Sequence, residues 1–190
     1  MVKAHKGNSD QQIIDLIIRE DKKDLFELLY NRYRNKVLDK CFSLVKDKSL
    51  AEEFTLEIFE KVYEKLNSFK GNSSFSSWLY AVSYNHCIEY LRHKKKLHYP
   101  EWNRKYDLPE IIDDIAEEDI NSIRYDRLMK VLDMIHPEEK ALLLMKYQDN
   151  IPLKLIQSTF RISESAAKMR IKRARARVVH VYGKLYKKDY

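Results

Sequence analysis

Only three glycines and four prolines interrupt this 190-residue sequence, and this scarcity is the feature that most constrains its fold. Glycine and proline are the residues that helix interiors tolerate least. Between them the chain is rich in Leu, Lys, Glu and Ile, and its apolar residues recur with helical spacing. We therefore predict an all-α protein, and a chain of this length can hold one domain or two small ones.

Capping signals predict where the first helices begin. Ser9 and Gln12 form a capping-box pattern that opens a helix ending near residue 19, and a second helix follows to about residue 45. Ser49 and Glu52 form another such pattern, and the helix that they open runs to about residue 66. Its buried side is marked by one apolar stripe: Phe54, Ile58, Val62 and Leu66.

A loop and a strongly apolar helix follow. Turn-forming residues mark the loop over residues 67–73. The next helix, from about residue 74 to residue 96, is apolar on most sides, so we expect it at the centre of an N-terminal domain. We predict Phe75 and Trp78 of this helix as core residues, and the helix ends in a basic run.

The segment ISESAAKMRIKRARARV, residues 162–178, combines strong positive charge with an apolar stripe. The stripe has helical spacing and should face a core: Ala167, Ile171, Ala174 and Val178. Ser163 suits the N-cap of this helix. A cationic helix with small residues at its start suits a DNA major groove, where phosphates flank it and its first turns face the base edges. The same pattern also fits a solvated basic face.

The residues before this segment predict a helix-turn-helix. A helix should run from Pro137 to about residue 147, a turn should follow at residues 149–150, and a short helix should cover residues 152–159. Glu138 and Glu139 suit the positive end of the first of these helices. Two helices joined by a short turn and followed by a basic helix are typical of a DNA-binding module.

An acidic segment at residues 98–122 is the predicted linker between two small helical domains. From Asp107 to Asp119 it contains seven acids and no base. Prolines and aromatic residues interrupt its helical periodicity. The predicted organisation is a flexible tail at 1–9, a domain at 10–97, the linker at 98–122, a helix-turn-helix domain at 123–184 and a tail at 185–190.

Both predicted domains resemble one known family. Residues 135–178, IHPEEKALLLMKYQDNIPLKLIQSTFRISESAAKMRIKRARARV, resemble region four of the extracytoplasmic-function (ECF) sigma factors, which are bacterial transcription-initiation subunits. Residues 24–33, DLFELLYNRY, and residues 49–96 resemble region two of the same family, in the expected order. The resemblance implies a chain that binds core RNA polymerase, through its β′ coiled coil and its β flap, and directs it to promoter DNA. An anti-sigma factor is a further candidate partner.

The resemblance also implies which residues bind DNA through region four. This region docks on the minus-thirty-five promoter element. The residues expected to read base edges from the major groove are Ser163, Glu164, Ser165, Lys168, Arg170 and Lys172. The residues expected mainly on phosphates are Arg173, Arg175 and Arg177.

Region two is implied to open the minus-ten element and to hold an extruded base. The polar residues of the matching loop, with one residue of the following helix, are Asn67, Lys70, Asn72, Ser73, Ser74 and Asn85. The basic run that could contact phosphates upstream is Arg92, Lys94, Lys95 and Lys96. The positions that match the surface for the polymerase β′ coiled coil are Glu52, Glu53, Glu57 and Phe59.

Several residues depart from the family pattern. Ser76, Ala81 and Tyr84 stand where relatives usually carry Arg, so three phosphate-binding cations are missing from region two. In region four, Gln157 replaces the usual small Ala and Arg161 replaces the usual turn glycine. A residue other than glycine at positive φ is strained by roughly 1 kcal/mol, so we expect this turn to differ in detail.

Charge and motif content favour nucleic-acid binding over catalysis. A net charge of +7 and a pI near 9.2 favour a polyanionic partner. The six histidines are scattered, and the sequence has no H-E-x-x-H motif and no P-loop, so we predict no enzyme activity, no metal and no cofactor. Cys41 and Cys87 lack the spacing of a zinc site or a disulfide framework. The N-terminus has no apolar signal segment and no run is long enough to span a membrane, so we expect a cytoplasmic protein without membrane insertion.

Two other functions stay open at this point. One is a helix-turn-helix regulator that works without polymerase, which gives no reason for the block at 49–96. The other is a protein that sequesters a sigma factor or polymerase without reading DNA. For the acidic segment, we expect that it shields basic surfaces of the free protein, occupies a cationic channel of polymerase, or is simply solvated.

Overall fold

The computed structural model describes residues 7–94 and 123–186. All the regular elements in these two ranges are helices, which confirms the predicted all-α fold. The chain divides into two compact units, Met1–Glu89 and Tyr90–Tyr190. The division falls within a helix, and the linker predicted at 98–122 lies outside the described residues. The predicted domain boundaries therefore stay a prediction.

The first unit contains an N-terminal helical bundle. Its helices are α1 (Asp10–Glu20), α2 (Phe26–Val45), α3 (Lys48–Glu64) and most of α4 (Phe75–His93). Short 3-10 turns at Lys23–Leu25 and Leu66–Ser68 lie between α1 and α2 and after α3. Helices α2 and α3 pack along each other, and the edge-to-face contact of Phe26 with Tyr63, at 5.0 Å between ring centroids, shows that they run antiparallel.

One of the two predicted capping boxes is present. Ser9 Oγ accepts from the Gln12 N–H at 3.3 Å, and Gln12 Oε1 accepts from the Ser9 N–H at 2.8 Å. The box predicted at Ser49 is wrong, because the N-cap lies two residues earlier, at Asp47, and α3 begins at Lys48. The extended Asp47 caps this helix instead, and its carboxylate accepts from the Leu50 N–H at 3.0 Å. Aspartate is as good an N-cap as serine, so the earlier position prevails.

The predicted apolar stripe of α3 is buried along its whole length, which confirms the helical phase of that segment. Helix α4 contributes Phe75, Leu79 and Tyr84 to the same core, whereas Trp78 is half-buried. Cys41 and Cys87 are buried free thiols. A hydrogen bond with Cys41, together with burial, raises the pKa of the Cys87 thiol well above its usual range.

The second unit contains the predicted helix-turn-helix. Its helices after the described end of α4 are α5 (Tyr125–Leu132), α6 (Pro137–Leu143), α7 (Leu153–Phe160) and α8 (Glu164–Tyr186). A π-helical turn at Leu144–Gln148 extends α6, so the two together cover the helix predicted from Pro137 to about residue 147. Helix α5 was not predicted from the sequence. The predicted stripe of α8 is buried.

Arg161 forms the turn between α7 and α8. Its φ of 54° and ψ of 48° lie in the left-handed region that favours glycine. The N–H groups of Arg161 and Ile162 both donate to the Gln157 carbonyl oxygen, the second at 3.1 Å. The chain therefore keeps the hydrogen bonds of a helix-ending turn and accepts the strain of a non-glycine residue there.

Candidate nucleic-acid interface

The first turns of α8 present an exposed polar face. Ser163 caps the helix, because its Oγ accepts from the Ala166 N–H at 3.2 Å. Ser165 and Lys168 are exposed on the following turns, and Lys168 Nζ lies 2.6 Å from the Glu164 carboxylate. Both partners of this ion pair are well exposed, so the pair is weak and a phosphate could replace it. The face also contains Lys172 and Arg173, which are half-buried.

Two buried carboxylates of α6 hold the opposite side of α8. Glu138 and Glu139 are almost fully buried, although the sequence suggested only dipole-compensating acids at the start of a helix. Arg170 NH1 lies 3.3 Å from Glu138 Oε2. Arg177 Nε lies 3.1 Å from Glu139 Oε1 and 3.0 Å from Oε2. We call these four residues the α6–α8 clamp.

The clamp corrects the predicted DNA contacts. Arg177 is only 5% exposed and its guanidinium lies on a buried carboxylate, so this geometry does not support the predicted phosphate contact. Arg170 is half-buried and would have to leave Glu138 to reach a base, so this geometry does not support a base-reading role for it. Neither pairing could be found from the periodicity of α8, because the acids lie on another helix.

His136 caps the helix that carries these carboxylates. Its Nδ1 accepts from the Glu138 N–H at 3.2 Å, which requires that this nitrogen carry no proton. The pKa of His136 is lowered to about 4, mainly by burial; Glu138 opposes this shift, and Arg92, Arg177 and Arg170 add to it. The imidazole is therefore neutral at physiological pH.

An apolar groove lies in the second unit beside α5. Its volume is about 450 Å³. The side chains that line it come mainly from α5, α6 and α8, and they include Leu128, Leu132, Leu143, Tyr147, Arg175 and Val178. Arg175, predicted as a phosphate contact, lines this groove and is half-buried. A concave apolar surface of this size can accept apolar side chains of a partner.

In the first unit, the predicted minus-ten loop is exposed. Asn67, Lys70, Asn72 and Ser74 face solvent, and Ser73 is half-buried. Gly71 has a φ of +68°, a conformation that a side chain would strain, so a glycine shapes this loop.

The capped start of α4 and a pair of packed aromatic rings lie beside this loop. Ser74 Oγ accepts from the Ser77 N–H at 3.1 Å, and Ser74 therefore caps α4. Phe69 packs against Trp78 at 5.2 Å between ring centroids, so an aromatic edge adjoins the loop.

Other predicted region-two contacts lie along α4. Asn85 is half-buried and Lys94 is exposed. Arg92 belongs to the second unit, where its Nε donates to Glu138 Oε1 at 2.7 Å. Lys95 and Lys96 lie outside the described residues.

Two of the positions where relatives carry Arg are core positions in this chain. Ala81 and Tyr84 are buried. Lys40 of α2 lies over the Tyr80 ring at 4.2 Å and near the Tyr84 ring at 5.7 Å, and such cation–π contacts stabilise the packing of α2 against α4. Ser76 is half-buried. Ala81 and Tyr84, which stand in place of Arg, are thus on the side of α4 that packs into the core.

The predicted polymerase-binding face of α3 is only partly as expected. Glu52 and Glu53 are exposed. Phe59 is 3% exposed and packs against the rings of Phe26 and Tyr30, so it is a core residue and this geometry does not support the predicted polymerase contact. Leu56, which the sequence interpretation missed, is 57% exposed on the acidic side of the helix. The sequence signal that could have identified Leu56 as a surface residue is its apolar side chain outside the buried stripe.

His86 of α4 holds one of these acids in place. Its Nε2 lies 3.0 Å from Glu57 Oε2, and its Nδ1 lies 2.8 Å from Lys61 Nζ. Burial and then Lys61 lower the pKa of His86, and Glu57 partly opposes them. Glu57 is therefore positioned by α4, while its side chain stays 42% exposed.

No helix within residues 7–94 or 123–186 is both long and apolar enough to span a membrane. The same ranges contain no group of three or more His, Cys, Asp or Glu side chains that could hold a metal ion.

The sequence of the chain is similar to sequences of known proteins. The family model for Sigma-70 region 2 matches residues 29–97. The chain is 25% identical over 172 residues to the ECF RNA polymerase sigma factor SigW of Bacillus subtilis, a match that covers 83% of this chain and 89% of SigW. It is 35% identical over 82 residues to the RNA polymerase sigma-H factor of Pseudomonas aeruginosa, which covers 43% of this chain and 42% of that relative.

A solved structure shows the same fold. The sigma factor RpoE of Bartonella quintana, crystallised with the anti-sigma factor NepR, matches with a TM-score of 0.56 at 17% identity over 85% of this chain and 98% of that chain. Residues 29–97 therefore match sigma-70 region 2, and a helix-turn-helix follows in the second unit. Over most of its length the chain is similar to an ECF RNA polymerase sigma factor.

Proposed function

We propose that this chain binds core RNA polymerase and directs it to promoters that carry two separate DNA elements. In this proposal the second unit binds the minus-thirty-five element as duplex and the first unit opens the minus-ten element. The observation that carries the proposal is the exposed polar start of α8, held in a helix-turn-helix by two buried ion pairs on its other side. A fixed helix with a free first turn is what major-groove reading requires.

The clamp divides the basic residues of α8 between structure and DNA. The residues that we propose for base edges lie at the exposed start of the helix: Ser163, Glu164, Ser165, Lys168 and Lys172. Arg173 is proposed for a phosphate, and Arg175 for a phosphate at the edge of the apolar groove. Arg170 and Arg177 are assigned to the clamp.

Opening of the minus-ten element is assigned to the loop of the first unit. An extruded base costs a few kcal/mol of lost stacking, which amides, hydroxyls and an aromatic wall can offset. Asn67, Asn72 and Ser73 supply the polar groups, with Lys70 for the backbone and Asn85 for the neighbouring strand. Lys94, and the Lys95 and Lys96 of the sequence, are proposed as upstream phosphate contacts.

Two surfaces are proposed for polymerase. The acidic face of α3, with Glu52, Glu53 and Glu57 around Leu56, fits the basic helices expected of the β′ coiled coil. The acids steer a basic partner towards this face, and Leu56 can be buried from water at the centre of the contact. The apolar groove beside α5 is assigned to the β flap. Both assignments rest on the resemblance of the chain to ECF sigma factors.

Regulation and location complete the proposal. The RpoE structure that shares this fold contains an anti-sigma factor, and we propose such a protein as a third partner of this chain. We place the activity in the cytoplasm, where core polymerase works, and we assign no bond chemistry to the chain itself.

Run-off transcription tests the proposal. Purified chain and core polymerase are supplied with a fragmented genomic library, and promoter-specific products should appear above core polymerase alone. Absence of such products, while a control sigma factor is active, contradicts the proposal. Tight binding of operator duplex by the chain alone would favour the polymerase-independent regulator. Salt-dependent binding to promoter duplex counts against a protein that only sequesters a sigma factor.

A further inference from the structure

Met169 is an apolar residue in the middle of the proposed DNA-reading face. It is 45% exposed, although the face around it is polar. It lies four residues after Ser165 and three before Lys172, so these side chains share one side of α8. The buried stripe of the helix, beginning at Ala167, lies on the other side. Met169 therefore points where the base edges would lie if the second unit binds duplex.

The helix cannot easily turn Met169 inward. Rotation of α8 about its axis would break the pairs of Arg170 with Glu138 and of Arg177 with Glu139. Breaking a buried ion pair is costly, and the pair of Arg177 with Glu139 is the more buried of the two. The clamp thus fixes which side chains of α8 face outward, and Met169 is one of them.

The chemistry of methionine restricts what it can recognise in a groove. The thioether has no donor and only a weak acceptor, so it cannot match the hydrogen-bonding edges of the bases. Thymine alone among the four bases presents an apolar group in the major groove, its C5-methyl. An unbranched and polarizable side chain can adapt to a methyl group whose exact position is set by the polar contacts around it.

We propose that Met169 contacts the C5-methyl group of a thymine in the minus-thirty-five element and so favours thymine at one position. This inference rests on the proposed function and adds a base-specificity residue to it. The neighbouring Ser165 and Lys172 position the helix through hydrogen bonds, and Met169 supplies the apolar contact.

Deoxyuridine scanning tests the contact, because deoxyuridine lacks only the C5-methyl group of thymine. Holoenzyme made with the full chain is bound to promoter duplexes in which each thymine of the minus-thirty-five element is replaced in turn. We expect one replacement to weaken binding by about four-fold, the factor that corresponds to one buried methyl group. The Met169→Ala holoenzyme should bind the thymine duplex more weakly and should not respond to that replacement. Leu185→Ala removes another exposed apolar residue, 42% exposed near the end of the same helix, and should respond as the unmodified chain does.

The outcomes separate the inference from the proposed function. If the unmodified holoenzyme binds a promoter specifically but tolerates every replacement, Met169 reads no methyl group and the proposed function stands. The same holds if Met169→Ala keeps the full response to deoxyuridine. If no promoter is bound specifically on any template, the proposed function fails and the inference fails with it. Circular dichroism checks that both variants remain folded.

Discussion

His136 should make the second unit sensitive to mild acid. In the folded chain its Nδ1 accepts from the Glu138 N–H, and burial holds its pKa at about 4, below the usual 6.5. The unfolded chain takes up this proton below pH 6.5, whereas the folded chain takes it up only near pH 4. Stability is therefore fully present above pH 6.5 and is lost as the pH falls towards 4.

The size of the effect follows from the two pKa values. With about 4 in the folded state and 6.5 in the unfolded state, lowering the pH from 7.5 to 5 removes about 2 kcal/mol from the free energy of unfolding. This is a large part of the roughly 5–15 kcal/mol that holds a small protein folded. Protonation would also remove the acceptor that caps α6, the helix that carries the clamp.

The His136→Asn variant is the matched control for this prediction. Asparagine is a good N-cap, and its side-chain oxygen can accept the same hydrogen bond, but it does not titrate. Urea unfolding followed by far-ultraviolet circular dichroism gives the stability of both chains at pH 7.5, 6 and 5. The difference between their pH profiles cancels the other titrating groups. If both chains lose the same stability over this range, the buried neutral imidazole is not the cause and the reasoning is refuted.

Substitutions at four further positions test the packing and the proposed polymerase surface described above. Arg177→Ala should lower the free energy of unfolding by about 3–5 kcal/mol, because it removes the guanidinium partner of the buried Glu139 carboxylate; a loss below 1 kcal/mol in chemical denaturation would contradict the clamp. Arg161→Gly should be more stable than Arg161→Ala by about 1 kcal/mol, since both remove the side chain and only glycine relieves the positive φ; equal melting temperatures would argue against strain. Leu56→Ala should weaken polymerase binding in a pull-down without changing the free energy of unfolding. Phe59→Ala should lower the free energy of unfolding by about 3–5 kcal/mol. The reverse pattern would indicate that Phe59, and not Leu56, is the exposed residue that contacts polymerase.

Periodicity predicted most of the fold because helical burial is local. The stripe of α3 that begins at Phe54 and the stripe of α8 that begins at Ala167 are both buried, as the spacing required. Helix α5, only eight residues long, was missed. The start of α3 was misplaced because Asp47 and Ser49 are both good caps, and only the backbone conformation chooses between them.

The site was harder to predict because it depends on contacts between distant segments. Phe59 lies one residue from the stripe residue Ile58, and its burial follows from the aromatic rings of α2 rather than from its own helix. Arg177 lies one residue before Val178, at the border of the buried side of α8. Helical periodicity alone predicts that an arginine at this position is exposed. Only a buried acid 38 residues earlier in the chain makes its burial tolerable.

The clamp also changes how many cations of α8 can bind phosphate. Residues 168–177 contain six Lys and Arg residues, and the pairs with Glu138 and Glu139 occupy two of them. Each phosphate contact contributes about 0.9 to the slope of log affinity against log salt concentration. Arg173→Met should therefore lower the slope for holoenzyme on promoter duplex by about 0.9. Replacing Arg177 by Met together with Glu139 by Gln removes a buried pair without leaving a charge, and it should leave the slope unchanged. The slope is measured between 50 and 200 mM salt for both variants. If both variants lose the same slope, Arg177 leaves Glu139 to bind DNA, and the pairs with the buried acids form only in the free protein.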